Sequence, residues 1–134
     1  MRCAALFPLL ALPVAAIADP ATIEGAEAMP GDDTWTVSVT LRHTDTGWED
    51  YADGWDVLLA DGTVLKPDPD SPFTRLLLHP HVEEQPFTRS QSNIAIPSDV
   101  NTVTVRAHDI VDGWGGQEIT VDLTQSSGEG YTVE

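Results

Sequence analysis

From residue 34 the chain alternates apolar and polar side chains. Trp35, Val37, Val39 and Leu41 interleave with Thr36, Ser38, Thr40 and Arg42, the period of a strand with one buried face. The stretch 102–107 repeats the pattern, with Val103, Val105 and Ala107 set against Thr102, Thr104 and Arg106. Shorter runs at 21–28, 55–60, 63–66, 73–79, 87–96 and 117–123 predict further strands. Beyond residue 18 no window of helical length carries an apolar repeat near 3.6 residues. Turn chemistry separates the runs: Met29-Pro30-Gly31-Asp32-Asp33, Asp61-Gly62, the proline-rich 66–72, Pro97-Ser98-Asp99 and Asp112-Gly113-Trp114-Gly115-Gly116. Seven main strands and a short edge piece at 63–66 predict an all-β domain, a seven- to eight-stranded antiparallel sandwich. It spans 19–124. The polar, Gly/Ser-rich 125–134 is expected to be a flexible C-terminal tail.

The first eighteen residues change the picture of where the domain works. A short basic start at Met1-Arg2 precedes an apolar run from Ala4 to Ala16, interrupted by Pro8 and Pro13, and then Ala16-Ile17-Ala18. That is the layout of a secretory signal peptide cleaved before Asp19, with an apolar run too short for a membrane anchor. The expected location is periplasmic or secreted. The sole cysteine, Cys3, stands near the start of this segment and not at its cleavage site. The mature chain therefore has no cysteine, which excludes disulfides, thiol catalysis and thiolate metal sites.

Charge narrows the partners. Of six basic residues Arg2 leaves with the leader, so five face twenty-two acidic ones, a net charge of −17. A field of that sign repels nucleic acid and anionic membrane surfaces and attracts cations or basic partners. Neither nucleic-acid binding nor membrane insertion is expected. No continuous acidic block occurs, so the charge belongs to a solvated surface and not to a disordered acidic tail.

Val103-Thr104-Val105-Arg106-Ala107-His108-Asp109, a Gly-rich turn and Glu118-Ile119-Thr120-Val121-Asp122-Leu123 resemble the last two strands of fibronectin type III and related immunoglobulin-like domains. The resemblance covers about a quarter of the chain and implies an Ig-like fold, not an activity. His79-Pro80-His81 with Glu84-Gln85-Pro86-Phe87-Thr88-Arg89-Ser90 also resembles small secreted bacterial proteins without an assigned function.

In such a sandwich alternate strands run in opposite directions, so the second, fourth and sixth finish at one end. They finish at His43, His79 and His108, and His81 lies two residues further on. All four histidines are thus expected at one end. His79 and His81 at H-x-H spacing project to the same side of an extended backbone, which Pro80 favours. Glu83 and Glu84 follow as carboxylate ligands or orienting acceptors. Imidazole and carboxylate ligands without thiolate suit Zn²⁺ or Cu²⁺. The ranked metal candidates are His79 and His81, then His43, then Glu83 or Glu84, with His108 last. His43 keeps the inward parity of Trp35 to Leu41, whereas His108 keeps the outward parity of Arg106. The second and fourth strands are expected in one sheet and the sixth in the other. Ordinary strand-end surface and a pH-responsive patch are the competing readings of the same histidines.

Two further constellations lie in these loops. Trp48, Tyr51 and Trp114 would form a stacking platform for sugars or anchors for a protein partner, while Trp55 belongs in the core. Asp45, Glu49, Asp50, Asp53 and Asp56 suggest Ca²⁺ by composition, but their spacing does not fit an EF-hand, and a solvated loop is the expectation. There is no G-x-S-x-G, H-E-x-x-H or P-loop motif, and Ser90 and Ser92 lie within a strand. The sequence describes a binding module, not an enzyme.

Overall fold

The computed structural model describes residues 18–134. The rest of the expected leader, with Cys3, lies outside the described residues. Two sheets account for all strands described. One has the order β5-β2-β1-β9-β8, built from β1 (Thr22–Pro30), β2 (Trp35–Arg42), β5 (Phe87–Ile94), β8 (Ser127–Gly128) and β9 (Tyr131–Val133). The other has the order β4-β3-β6-β7, from β3 (Ala52–Leu58), β4 (Arg75–Leu76), β6 (Thr102–Asp109) and β7 (Gly113–Asp122). The domain is an all-β sandwich. No helix among the described residues is long and apolar enough to cross a membrane.

Alternation sets the core. Val37, Val39 and Leu41 of β2 and Val103, Val105 and Ala107 of β6 share one buried core with Trp55 and Val57 of β3 and Phe87 and Ile94 of β5. The outward face of β2 is polar and pairs with β5 through hydroxyls, Ser38 to Ser90 at 2.5 Å and Thr40 to Thr88 at 2.7 Å. Strand β3 departs from alternation because both its faces are covered. Phe73 lies so close over Gly54 that a Cβ there would meet the ring at 2.1 Å. Beside it, Thr74 donates from its N–H to Asp56 Oδ1 and accepts from Val57 N–H.

That cover explains a first departure from expectation. The run 73–79 does not make a long strand in the sheet of β2. Phe73 and Thr74 are drawn onto the outside of β3, and only Arg75 and Leu76 pair, with Trp55 and Gly54. The fourth expected strand therefore lies at the edge of the other sheet. Residues 63–66 contribute a single bridge, Leu58 to Val64. The glycine-rich 113–116 joins β7, with the tight turn ahead of it at 110–112 and Gly113 at φ 77° closing it.

The segment expected as a flexible tail carries two strands. Tyr131, Thr132 and Val133 pair in parallel with Ala26, Glu27 and Ala28, and β8 folds back on β9. The apolar Tyr131 and Val133 pack against the core from this position, which outweighs the polar composition around them.

Candidate metal centre

Strands β2 and β6 run in the same direction in opposite sheets, and their last inward positions come together at one end of the sandwich. One residue past the end of β2 that position is His43, and on β6 it is Asp109. Both side chains are fully buried, and His43 Nε2 lies 3.9 Å from Asp109 Oδ2. The loop between β2 and β3 supplies the next group. Thr46 N–H donates to the Asp50 carbonyl and Asp50 N–H to the Gly47 carbonyl, a tight turn that brings Asp50 back over His43. Asp50 Oδ1 then lies 3.5 Å from His43 Nε2. His43, Asp50 and Asp109 each present one ligand atom, all within 4.8 Å of one another.

The remaining hydrogen bonds of these groups fix their orientation. His43 Nδ1 donates to Asp45 Oδ1 at 2.6 Å, so the neutral ring carries its proton on Nδ1 and turns the Nε2 lone pair to the carboxylates. Asp45 is itself buried and accepts from Ala52 N–H and His81 N–H. Asp109 Oδ1 accepts from Val111 N–H and Asp112 N–H in the turn to β7, leaving Oδ2 for the interior. His43 Nε2, Asp50 Oδ1 and Asp109 Oδ2 are buried without a hydrogen-bond partner. Asp19 Oδ2 lies 3.8 Å from His43 Nε2 at the outer side.

Electrostatics follow from this packing. Burial opposes protonation of His43, but the hydrogen bond to Asp45 and the charges of Asp109, Asp45 and Asp19 together outweigh it and raise its pKa. Burial also raises the pKa of Asp50, with Asp109, Asp112 and Asp19 adding to the shift against the opposing effect of His43. A region that strains to hold protons on a carboxylate and an imidazole at once is short of positive charge.

The other expected ligands are placed differently. His79 Nδ1 contacts its neighbour's carbonyl, Pro80 O, at 3.0 Å. His81 is buried and stacks on Phe87 with ring centroids 3.9 Å apart, while Arg89 Nη2 donates to its Nε2 at 2.9 Å. Burial, then the charges of Arg89 and His79, lower the His81 pKa. Glu83 is exposed, and Glu84 lies 3.7 Å from Arg89. His79 and His81 lie close, at 4.6 Å between rings, with His81 held between Phe87 and Arg89. His108 stands on the outer face of its sheet, donating from Nδ1 to Asp53 Oδ1 at 2.6 Å.

The acidic loop is not uniformly solvated either. Asp45 orients His43, Asp50 faces it, and the buried Asp56 accepts from Arg106 and Thr74. Glu49 accepts from Thr46 Oγ1. Among the aromatics, Trp48 is 66% exposed with an edge contact to Tyr51. Trp114 is 40% exposed, and Arg106 covers one face of its ring at 3.6 Å. Asp109 and Asp19 were absent from the sequence-derived candidates. Asp109 carries a signal nonetheless, as the next inward position after Val103, Val105 and Ala107.

The fold and site together define an all-β sandwich with a buried histidine–aspartate cluster at one end. A protein of Halomicrobium mukohataei named "Putative lipoprotein" is 44% identical over 85 residues, 63% of this chain and 38% of that protein. The chain thus matches well under half the length of that relative. No family model matches the chain, and no solved structure matches it. Neither the relative nor the site points to catalysis.

Proposed function

We propose that this chain is an exported, non-catalytic module that holds one divalent metal ion, Zn²⁺ by preference, among His43, Asp50 and Asp109. One observation carries the reading: three buried polar atoms, one on each residue, lack hydrogen-bond partners and converge on a common point. A buried polar atom left unpaired costs about 1–3 kcal/mol, and adjacent buried carboxylates also repel. A cation relieves both. Tetrahedral zinc with bonds of 2.0–2.1 Å sets its ligand atoms roughly 3.4 Å apart, close to the 3.5 and 3.9 Å separations from His43 Nε2. One imidazole with several carboxylates favours zinc over copper, which is better served by more nitrogen ligands. Asp45 acts behind His43 as the acceptor that holds the ring in its ligating orientation.

Export is supported by the Ala16-Ile17-Ala18 cleavage pattern and by the name of the Halomicrobium relative. The two-sheet core supports reading the sandwich as immunoglobulin-like. The test is calorimetric. Zinc at one hundred times its Kd adds about 2.7 kcal/mol of stability, a melting rise on the order of 10 °C. His43→Ala should abolish that rise, and the double variant His79→Ala/His81→Ala should keep it. No rise in the wild-type protein, or an undiminished rise in His43→Ala, would sink the proposal.

A second reading rests on Trp48, whose exposure beside Tyr51 suits a glycan or protein contact. It predicts tryptophan quenching by that partner that a chelator does not reverse.

A further inference from the structure

We infer that the mature N terminus is itself part of the metal centre: once the leader is removed, Asp19 offers both its free amine and its carboxylate to the ion. The inference rests on the metal reading above. It adds where the outer ligands come from and when they become available.

Asp19 stands at the outer edge of the centre, beyond the His43, Asp50 and Asp109 group. Its Oδ2 lies 3.8 Å from His43 Nε2, and its backbone nitrogen donates to Asp112 Oδ2 at 3.0 Å. Asp112 in turn donates its N–H to Asp109 Oδ1 at 2.7 Å, so the residue that holds the Asp19 nitrogen is bonded directly to a proposed ligand. The chain leading into β1 has little freedom to move away. Gly115 lets the Ala21 carbonyl approach so closely that a Cβ would meet it at 2.4 Å. Two residues on, the Gln117 side chain accepts from Ile23 N–H and donates to Ile23 O. The start of the domain is clamped to β7.

Cleavage changes the chemistry of that nitrogen. A signal peptidase adds water across the Ala18–Asp19 peptide bond, leaving a carboxyl on Ala18 and an amine on Asp19. In the peptide the nitrogen lone pair is delocalised into the carbonyl and cannot serve a metal. In the amine it is free. Nitrogen and side-chain oxygen of one aspartate close a six-membered chelate ring, and the buried three-residue set gains an outer wall. The precursor keeps His43, Asp50 and Asp109 but lacks this chelate, so full metal retention belongs to the exported form.

The experiment compares zinc titrations of the processed, exported protein with those of a protein that retains Ile17 and Ala18 ahead of Asp19. Both keep every described strand, which begin at Thr22. The retained dipeptide should weaken zinc binding about 10- to 100-fold, the range lost when a supporting group of a metal site is removed. Equal affinities, with His43→Ala still abolishing binding in both, would overturn this inference and leave the metal reading standing. Absence of zinc binding in both forms would overturn the metal reading and this inference with it. The mass of the exported protein should correspond to a chain beginning at Asp19; any other start refutes the inference directly.

Discussion

Two histidines in this fold make nearly identical bonds and have opposite prospects. His43 donates to Asp45 and His108 to Asp53, each from Nδ1 to Oδ1 at 2.6 Å. The first pair is sealed between the sheets, and its free nitrogen looks at Asp50, Asp109 and Asp19. The second stands on the outside of β6, its ring packed against Phe73 and Trp114 at 5.1 and 4.9 Å. A histidine–carboxylate pair therefore only orients an imidazole. What the second nitrogen faces decides whether the ring is a ligand or a piece of an aromatic surface.

The sharpest way to break the comparison is to remove each carboxylate. Asp45→Ala leaves His43 Nδ1 and the N–H groups of Ala52 and His81 without their acceptor, all in the interior, and should cost about 3 kcal/mol in urea unfolding. Asp53→Ala removes a single partner, 17% exposed, and should cost less, about 1 kcal/mol. Equal costs would mean that burial does not separate the two pairs.

The pH dependence gives a smaller signal of defined sign. His43 and Asp50 both bind protons more tightly folded than unfolded. Their contribution to metal-free stability is complete below the unfolded pKa and is lost as pH rises through the folded one. For Asp50 the loss begins above 3.8 and for His43 above 6.5. His81, with its lowered pKa, works in the other direction, so the difference between wild type and His43→Gln isolates the term. In chelator, that difference should shrink from pH 6 to pH 8. With zinc it should grow over the same interval, because the ligand imidazole must be neutral. Thermal melts in matched buffers decide both signs.

The smallest effect is expected at the outer pair. His108→Gln should change stability by less than about 1 kcal/mol and leave zinc affinity as it was. A fall in affinity would show that the two pairs serve one site.

How much of this the sequence discloses depends on the kind of residue. Where alternation is long, as in β2 and β6, it predicts strands, faces and shared direction, and from those the placing of His43 and His108 at one end. The parity that turns His43 inward and His108 outward is legible too. Applied one residue further, it also turns Asp109 inward, an acidic group where a valine would be expected. Loop residues carry no such period. Asp50 is returned to the site by a backbone turn at 46–50, and nothing in its neighbours' identities distinguishes it from Asp53. H-x-H spacing does not disclose the partners His81 meets on another strand, Phe87 stacked on its ring and Arg89 at its Nε2. The place of β4 was equally hidden, since it follows from a ring fitting over Gly54 and not from polarity.

The parallel pairing of β9 with β1 has a mechanical consequence. The chain enters β1 at Thr22, and β9 leaves alongside Ala28, near that strand's far end. Tension between Asp19 and Glu134 would therefore pull the two strands lengthwise past each other. The bonds from Ala26 N–H to Gly130 O and from Glu134 N–H to Ala28 O would carry load together instead of parting one by one. Resistance to such forced opening is a matter of unfolding rate. A domain held at its ends in a moving medium would yield more slowly than its short terminal strands suggest.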